Sequence, residues 1–598
     1  MQTDKFEVLK HHFGHDQFRE LQEEAVDTIL KGQDLLMILP TGGGKSLCYQ
    51  LPSLMMAGTT VVISPLLALM HDQVTALQAN GINAQMISSM QDAQELRAIE
   101  NDLYAGVVKL LYIAPERFSS SRFMELLNQI KINFFVVDEA HCVSEWGHEF
   151  RDDYRKLGFL KEAFPQTVVA AFTATATEKV QQDMVTALGL TNPNEIRGSV
   201  FRKNLQISVE PRQKDGRKQL LDFLKNYENE SGIIYTFTRK QTESLSQFLQ
   251  TKGIKARAYH AGLDASEKNE TFRAFVHDEI NVVVATVAFG MGIDKSNIRY
   301  VVHISLPKTI ESYYQEIGRA GRDGLDAQTL LLYSVGDMVQ RKGLIDQLPD
   351  SAYKTHSHNQ LERMVRLASG EDCRHQNIAA YFDDIIEVCT DKCDNCINPH
   401  HDKVDITTKA QMFLSGIYRT NQRFGQAYVI DVLRGSKVQK ILDNNHDKLG
   451  VYGIGKEESR GYWEQVAERL MELGALDRGE FRELVLTGVG KAILTGKTPV
   501  DIREARLKIE AKKESFKSKT MIDNPEVFEV LRELRTTLAK EENKPAYVIF
   551  SDKSLNDMAS RLPQTQEEML DVNGVGDVKY ERYGEQFLAL CQKIKAEA

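Results

Sequence analysis

Between Asp34 and about Ser334, short apolar runs rich in β-branched residues alternate with longer segments of helical period, and this alternation constrains the fold most. A strand buried on both faces reads as a continuous apolar run, and a parallel strand needs a crossover before the next one. Apolar runs separated by helices therefore predict parallel α/β sheets. Leu35–Leu39, Val61–Ser64, Phe134–Val137 and Val168–Phe172 form one series, and Gly232–Tyr235, Val282–Ala285 and Tyr300–His303 form a second. Two α/β units in tandem, meeting near residue 205, is the simplest partition. A chain of 598 residues is also too long for one hydrophobic core, so roughly three to five domains are expected.

After about residue 345 the strand alternation stops. A helix-like stretch covers Leu361–Leu367, and amphipathic helices run from Asp405 to about Lys497 with a short alternating segment at Glu483–Leu486. Residues 501–522, rich in Lys, Arg and Glu, read as a solvated helix or a tether, with the tether preferred. From Asn524-Pro525 onward, Val527, Leu531, Leu534 and Leu538 fall at helical spacing, which predicts a small all-helical domain ending near Lys595. The start of the chain has no apolar leader and no segment reaches about 18 consecutive apolar residues, so an intracellular protein without a membrane partner is expected. A net charge of -10 argues mildly against a nucleic-acid partner, but it averages over the chain and leaves room for a positive groove.

Pro40-Thr41-Gly42-Gly43-Gly44-Lys45-Ser46 follows an apolar strand and precedes a helix, the placement in which backbone N–H groups and a helix N-terminus cradle phosphates. Thr41 and the three glycines would wrap the phosphates, Lys45 would meet the β and γ phosphates, and Ser46 would hold magnesium. Leu39 stands where the strict loop pattern has glycine. About 90 residues on, Asp138-Glu139-Ala140-His141 ends the strand Phe134–Val137, so two carboxylates lie at the carboxyl edge of a sheet. One can hold magnesium and the other can orient an attacking water. Thr173-Ala174-Thr175-Ala176 follows the next strand and offers hydroxyls to the carboxylates or a neighbouring loop. The second unit carries Gln315-Glu316-Ile317-Gly318-Arg319-Ala320-Gly321-Arg322. Helical geometry would put its two arginines on one face, where they can stabilise the charge of phosphoryl transfer.

Cys373, Cys389, Cys393 and Cys396 gather four of the seven cysteines at spacings that let four thiolates close a structural, tetrahedral zinc site. His375, His400 and His401 rank below them as ligands.

Together with Ala285-Thr286-Val287-Ala288-Phe289-Gly290-Met291-Gly292, these motifs resemble the RecQ family of ATP-dependent DNA helicases, of the bacterial type, over nearly the whole chain. Ser144–Arg151 resembles the aromatic-rich loop through which bound DNA triggers hydrolysis in that family; Trp146 and Phe150 can stack on unpaired bases, beside His148, while Arg151 meets phosphate. Phe13–Gln22 resembles the family's adenine-recognition segment, with His15, Arg19 and Gln22 as candidate contacts. The chain departs from the family pattern at His15, Glu145 and Asp152, where Tyr, Gln and Pro are usual. Tyr428–Gly435 and Val451–Lys456 are similar to the winged helix that grips duplex DNA, with Ser436, Lys437 and Lys456 near phosphates and Asp477–Glu480 as a short wing turn. The last segment resembles a helical accessory domain in which Tyr547 would stack on a base and the glycines of Val572–Gly576 would face a phosphate, or both would only pack the bundle.

The resemblance implies an α/β fold of two tandem RecA-like domains, 1–207 and 208–343. A zinc module at 344–407, a winged helix at 408–515, a linker at 516–522 and an all-α domain at 523–598 would follow. It implies a 3′-to-5′ helicase of recombination and repair that uses ATP, Mg2+ and Zn2+ on single-stranded and forked DNA. The protein is expected to be cytoplasmic and nucleoid-associated, monomeric, and in contact with single-strand-binding and other repair proteins. Two further readings stand beside it: an ATPase that translocates without separating strands, and a DNA-binding or annealing scaffold with an idle motor. The intact Lys45, both acids and both arginines speak against the scaffold.

Overall fold

The computed structural model describes the chain apart from residues 1–3, 89–90, 145–149, 291, 292, 294, 350, 371, 398–402, 479–482, 508–523 and 598. The chain divides into two compact units. One comprises Met1–Leu332, Cys373–Cys393 and Lys519–Ala598, and the other Tyr333–Asp372 and Asp394–Ser518.

The first unit contains two sheets. Strands β1 (Leu35–Ile38), β2 (Thr59–Ile63), β3 (Ala84–Ile87), β4 (Leu110–Ile113), β5 (Ile132–Val137), β6 (Val168–Thr173) and β7 (Asn194–Arg197) form a parallel sheet in the order β3-β4-β2-β5-β6-β1-β7. Their continuous apolar character has a direct cause, because alternate side chains enter cores on opposite faces. Leu36, Ile38, Phe135 and Val137 pack on one side, and Leu35, Met37, Phe134 and Val136 on the other. The second sheet, β8 (Leu205–Pro211), β9 (Ser231–Tyr235), β10 (Ala256–Tyr259), β11 (Val282–Ala285), β12 (Ile298–His303) and β13 (Ala327–Tyr333), takes the order β10-β11-β9-β12-β13-β8.

The C-terminal helices of this unit close around Phe528, Leu531, Phe550, Leu555 and Phe587. Asn524 caps the helix Pro525–Glu541 by accepting from the Val527 N–H, with Pro525 as its first residue. This small domain packs directly on the first lobe. The Gly574 N–H donates to the Gly14 carbonyl at 3.1 Å, and a Cβ on Gly14 or Gly576 would come within 2.6 or 2.7 Å of the opposing backbone. The glycines of Val572–Gly576 thus serve close approach of two backbones, and the Gly574 N–H is spent on protein rather than held open for a phosphate.

In the second unit, helices Thr407–Arg419, Gln426–Leu433 and Arg460–Glu472 enclose a core centred on the fully buried Trp463. Leu476–Arg478 pairs antiparallel with Leu484–Leu486, forming the arms of a wing whose tip, including Gly479 and Glu480, lies outside the described residues. Lys437 and Lys456 are exposed. The stretch expected to be a tether begins as structure: Asp501–Arg503 pairs antiparallel with Lys403–Asp405, and Glu504–Leu507 is helical. Buried Val500 and Ile502 explain this, since they anchor the segment in the same core despite its charged neighbours. Among the described residues no helix is long and apolar enough to cross a membrane.

Candidate functional site

The sheet order brings the motifs together. β5, β6 and β1 are consecutive parallel strands, so the loops after them leave the sheet at one edge, and these loops carry Asp138-Glu139, Thr173–Thr175 and the glycine loop. Gly42 and Gly44 have φ of 83°, a conformation that costs any other residue strain, and the helix Lys45–Met55 starts directly from Gly44. Lys45 Nζ donates to the Leu39 carbonyl at 2.9 Å.

Arg19 and Gln22 brace this loop from the side. Arg19 Nη1 donates to the Gly42 carbonyl at 2.8 Å, and Gln22 Nε2 donates to the Gly44 carbonyl at 3.0 Å. The carboxamide expected at an adenine edge is therefore engaged with the phosphate loop. Next to it, burial first, then the charges of Arg19, Lys553 and Lys579, push the His15 pKa down to about 4, so its ring is neutral at physiological pH.

In the acid box, Glu139 adopts a left-handed backbone conformation (φ 49°), strain that a non-glycine residue tolerates only where its surroundings hold it. The Glu139 N–H donates to Asp138 Oδ1 at 3.0 Å, and the Tyr154 hydroxyl donates to the Asp138 carbonyl at 3.1 Å. His141 is buried, with Nδ1 2.8 Å from Thr173 Oγ1 and 3.3 Å from Glu139 Oε2. Burial opposes its charge, but neighbouring Cys142 and Glu139 raise its pKa well above the ordinary value. The threonine of the strand-end motif thus reaches the acid box through His141.

The second lobe supplies Gln315, Arg319 and Arg322 to the same cleft, which measures about 840 Å³. The two arginines do not share a helix face as expected. Their helix ends at Ile317, and both lie in the turns that follow, where Gly321 takes φ 62° and bonds back to Ile298. Arg319 is buried and bonds to the carbonyl of Gly290, in the motif at 285–292.

A residue absent from the motif reading ties these parts together. Arg202 is buried between the lobes, where it donates to the carbonyl of Thr41 at 2.9 Å and to those of Gly318, Ala320 and Gly321 at 3.2, 3.0 and 2.7 Å. Burial lowers its pKa to about 10, which leaves it charged at neutral pH. No sequence signal marked it, because a single arginine between two strands has no pattern of its own.

Of the residues expected on DNA, Trp146 and His148 lie outside the described residues, as do Met291, Gly292, His400 and His401. Phe150 is exposed, Arg151 Nη1 donates to the Pro65 carbonyl at 2.9 Å, and Tyr547 lines the nucleotide cleft.

The four cysteines converge. The thiols of Cys373, Cys389, Cys393 and Cys396 lie within 4.8 Å of one another, and the first three residues are buried. Four soft donors at that separation fit one tetrahedral zinc ion with no open position. His375 Nε2 faces the carbonyls of Leu205 and Lys392 at 3.0 and 3.1 Å and is thereby taken up outside the cluster.

Two parallel-sheet lobes that share a phosphate loop, an acid box and an arginine pair define a two-lobed motor of the helicase class. Family models match most of the chain in series: DEAD/DEAH box helicase over 19–183, helicase conserved C-terminal domain over 215–324, RecQ zinc-binding over 335–397, RQC domain over 400–511 and HRDC domain over 524–591. The chain is 41% identical to the ATP-dependent DNA helicase RecQ of Haemophilus influenzae, covering 98% of this chain and 96% of that one. It is 40% identical to the protein so named from Bacillus subtilis, covering 99% and 98%. The chain belongs to the RecQ family of helicases, and the zinc-binding model spans the cysteine cluster.

Proposed function

We propose that this protein couples ATP hydrolysis to 3′-to-5′ movement along single-stranded DNA and to separation of the duplex ahead, in recombination and repair. The single observation that carries the reading is the convergence of the glycine loop, Asp138-Glu139, Arg319 and Arg322 on one cleft between two parallel sheets.

Lys45 and the loop N–H groups bind the β and γ phosphates, and Ser46 with Asp138 would hold magnesium, which neutralises phosphate charge when bound. Glu139 accepts a proton from the attacking water, and Gln315 helps to position that water. Arg319 and Arg322 meet the charge that develops on the transferred group. Because these arginines belong to the other lobe, the nucleotide state sets the lobe separation, and cycles of closure step a strand held in part by Phe150, Arg151 and the segment 145–149. The winged helix in the second unit grips duplex through backbone phosphates. The protein acts as a monomer in the cytoplasm at the nucleoid, with single-strand-binding and other repair proteins as its partners.

Strand separation tests the reading. With ATP, a duplex bearing a 3′ single-stranded tail is unwound, while a blunt or 5′-tailed duplex is unwound far less. ATP hydrolysis stimulated by DNA without any strand separation would favour a translocating remodeller.

A further inference from the structure

Strands β11, β9 and β12 of the second sheet end side by side, with Ala285 and His303 as the register partners of Tyr235. The segment that leaves β11 carries Phe289 and Gly290, and the Gly290 carbonyl accepts from Arg319. The approach is close, since a Cβ on Gly290 would lie 2.9 Å from Arg319 Nη2. Arg319 is buried, and its Nε has no acceptor among the described residues. The Gly290 carbonyl is thus the acceptor that orients this guanidinium.

Tyr235 fixes the peptide that enters Gly290. Its hydroxyl donates to the Phe289 carbonyl at 2.8 Å. Phe289 is itself buried, with its ring 4.6 Å from that of Tyr259 and 5.8 Å from that of Phe275. Burial pushes the Tyr235 pKa up to about 12 against the pull of the Arg319 charge, so the phenol remains a donor at physiological pH.

A second connection reaches Arg319 through the main chain. The Tyr235 ring stacks on that of His303, with centroids 5.1 Å and planes 21° apart. His303 Nε2 lies 2.7 Å from Glu316 Oε2, and both residues are buried. Glu316 belongs to the last turn of the helix Ile310–Ile317, which leads directly into Arg319. The contacts form a closed circuit: Arg319 to Gly290, Phe289 to Tyr235, Tyr235 to His303, and His303 to Glu316 and back. Gln315, Arg319 and Arg322 line the nucleotide cleft, while Tyr235, His303 and Glu316 stand behind them. A donor held in this way is in place before charge develops on the reacting group, and it needs no reorganisation during the reaction.

We propose that Tyr235 is a positioning residue for ATP hydrolysis: its hydroxyl fixes the Phe289–Gly290 peptide and thereby holds the Arg319 guanidinium at the transferred phosphate. The His303–Glu316 pair sets the main chain from which Arg319 projects. The inference rests on the reading that Arg319 meets the transferred phosphate.

The test is a double-mutant cycle in the full chain, with kcat and KM for ATP measured at saturating single-stranded DNA. Tyr235→Phe removes only the hydroxyl and is expected to lower kcat about 10-fold, the scale of one hydrogen bond, with KM changed by less than about 3-fold. In an Arg319→Ala background the same substitution is expected to cost less than about 2-fold, because the group it positions is gone. ADP with aluminium fluoride, a mimic of the transferred phosphate, is expected to bind Tyr235→Phe about 10-fold more weakly, and ADP alone equally well. His303→Gln breaks the ring stack but keeps a donor for Glu316. It is expected to give a smaller loss that also vanishes without Arg319, and it carries the cycle if melting temperatures show that Tyr235→Phe does not fold. A kcat within about 2-fold of wild type in a folded Tyr235→Phe chain would overturn the proposal. So would an equal loss with and without Arg319, which would make Tyr235 a packing residue only. An Arg319→Ala chain that hydrolysed ATP at the wild-type rate would instead overturn the role given to Arg319, and the proposal with it.

Discussion

Arg202 donates to the Thr41 carbonyl of the phosphate loop while the same guanidinium donates to the carbonyls of Gly318, Ala320 and Gly321 beside the arginine pair. One side chain thus links the loop that binds the phosphates to the segment that must move against them. Hydrogen bonds from a charged donor are worth about 1.5–3 kcal/mol each, and lysine cannot span the fork that guanidinium covers. Arg202→Ala and Arg202→Lys are expected to lower kcat of the DNA-stimulated ATPase about 10- to 30-fold while shifting KM for ATP by less than about 3-fold, because the loop still has Lys45, Arg19 and Gln22. A pure rise in KM, with kcat intact, would show that Arg202 only shapes the loop.

The cysteine cluster is expected to carry about one zinc ion per chain, measured by elemental analysis. Hydrogen bonds within the cluster pull the Cys373 pKa down and push that of Cys389 up. Cys393 also forms the bridge to Ile207 in β8, so removing a ligand disturbs the edge of the second sheet. Cys393→Ser is expected to lose the zinc and to lower the melting temperature by several degrees, with protease cleavage appearing near residues 373–396. A chain that kept zinc after this change would show that another residue completes the site.

The two sheets were legible because strands buried on both faces must be apolar throughout, and the glycine loop, the acid box and Thr173–Thr175 were legible because each follows such a strand. The zinc ligands were legible from cysteine spacing alone. What escaped the sequence depends on approach between distant segments. Gly574 and Gly576 have the look of an anion-binding turn, and only the proximity of Gly14 and His11 shows that they admit a neighbouring backbone. Arg202 has four carbonyl partners supplied by two lobes, and none is visible in its local sequence. The Asp501–Arg503 strand was hidden by charge, since Ile502, its one apolar residue, is what anchors it in a core. The arginine pair showed the reverse failure, because its i, i+3 spacing suggested a helix that Gly318 and Gly321 bring to an end.

Steady-state ATPase of wild type and Glu139→Gln, with no nucleic acid, with single-stranded DNA and with matched RNA, tests the central claim most directly. The account predicts hydrolysis stimulated by DNA far more than by RNA, and a fall of about 100-fold or more in the variant, with ATP binding retained. Equal stimulation by RNA, or hydrolysis that survives the loss of the Glu139 carboxylate, would contradict it.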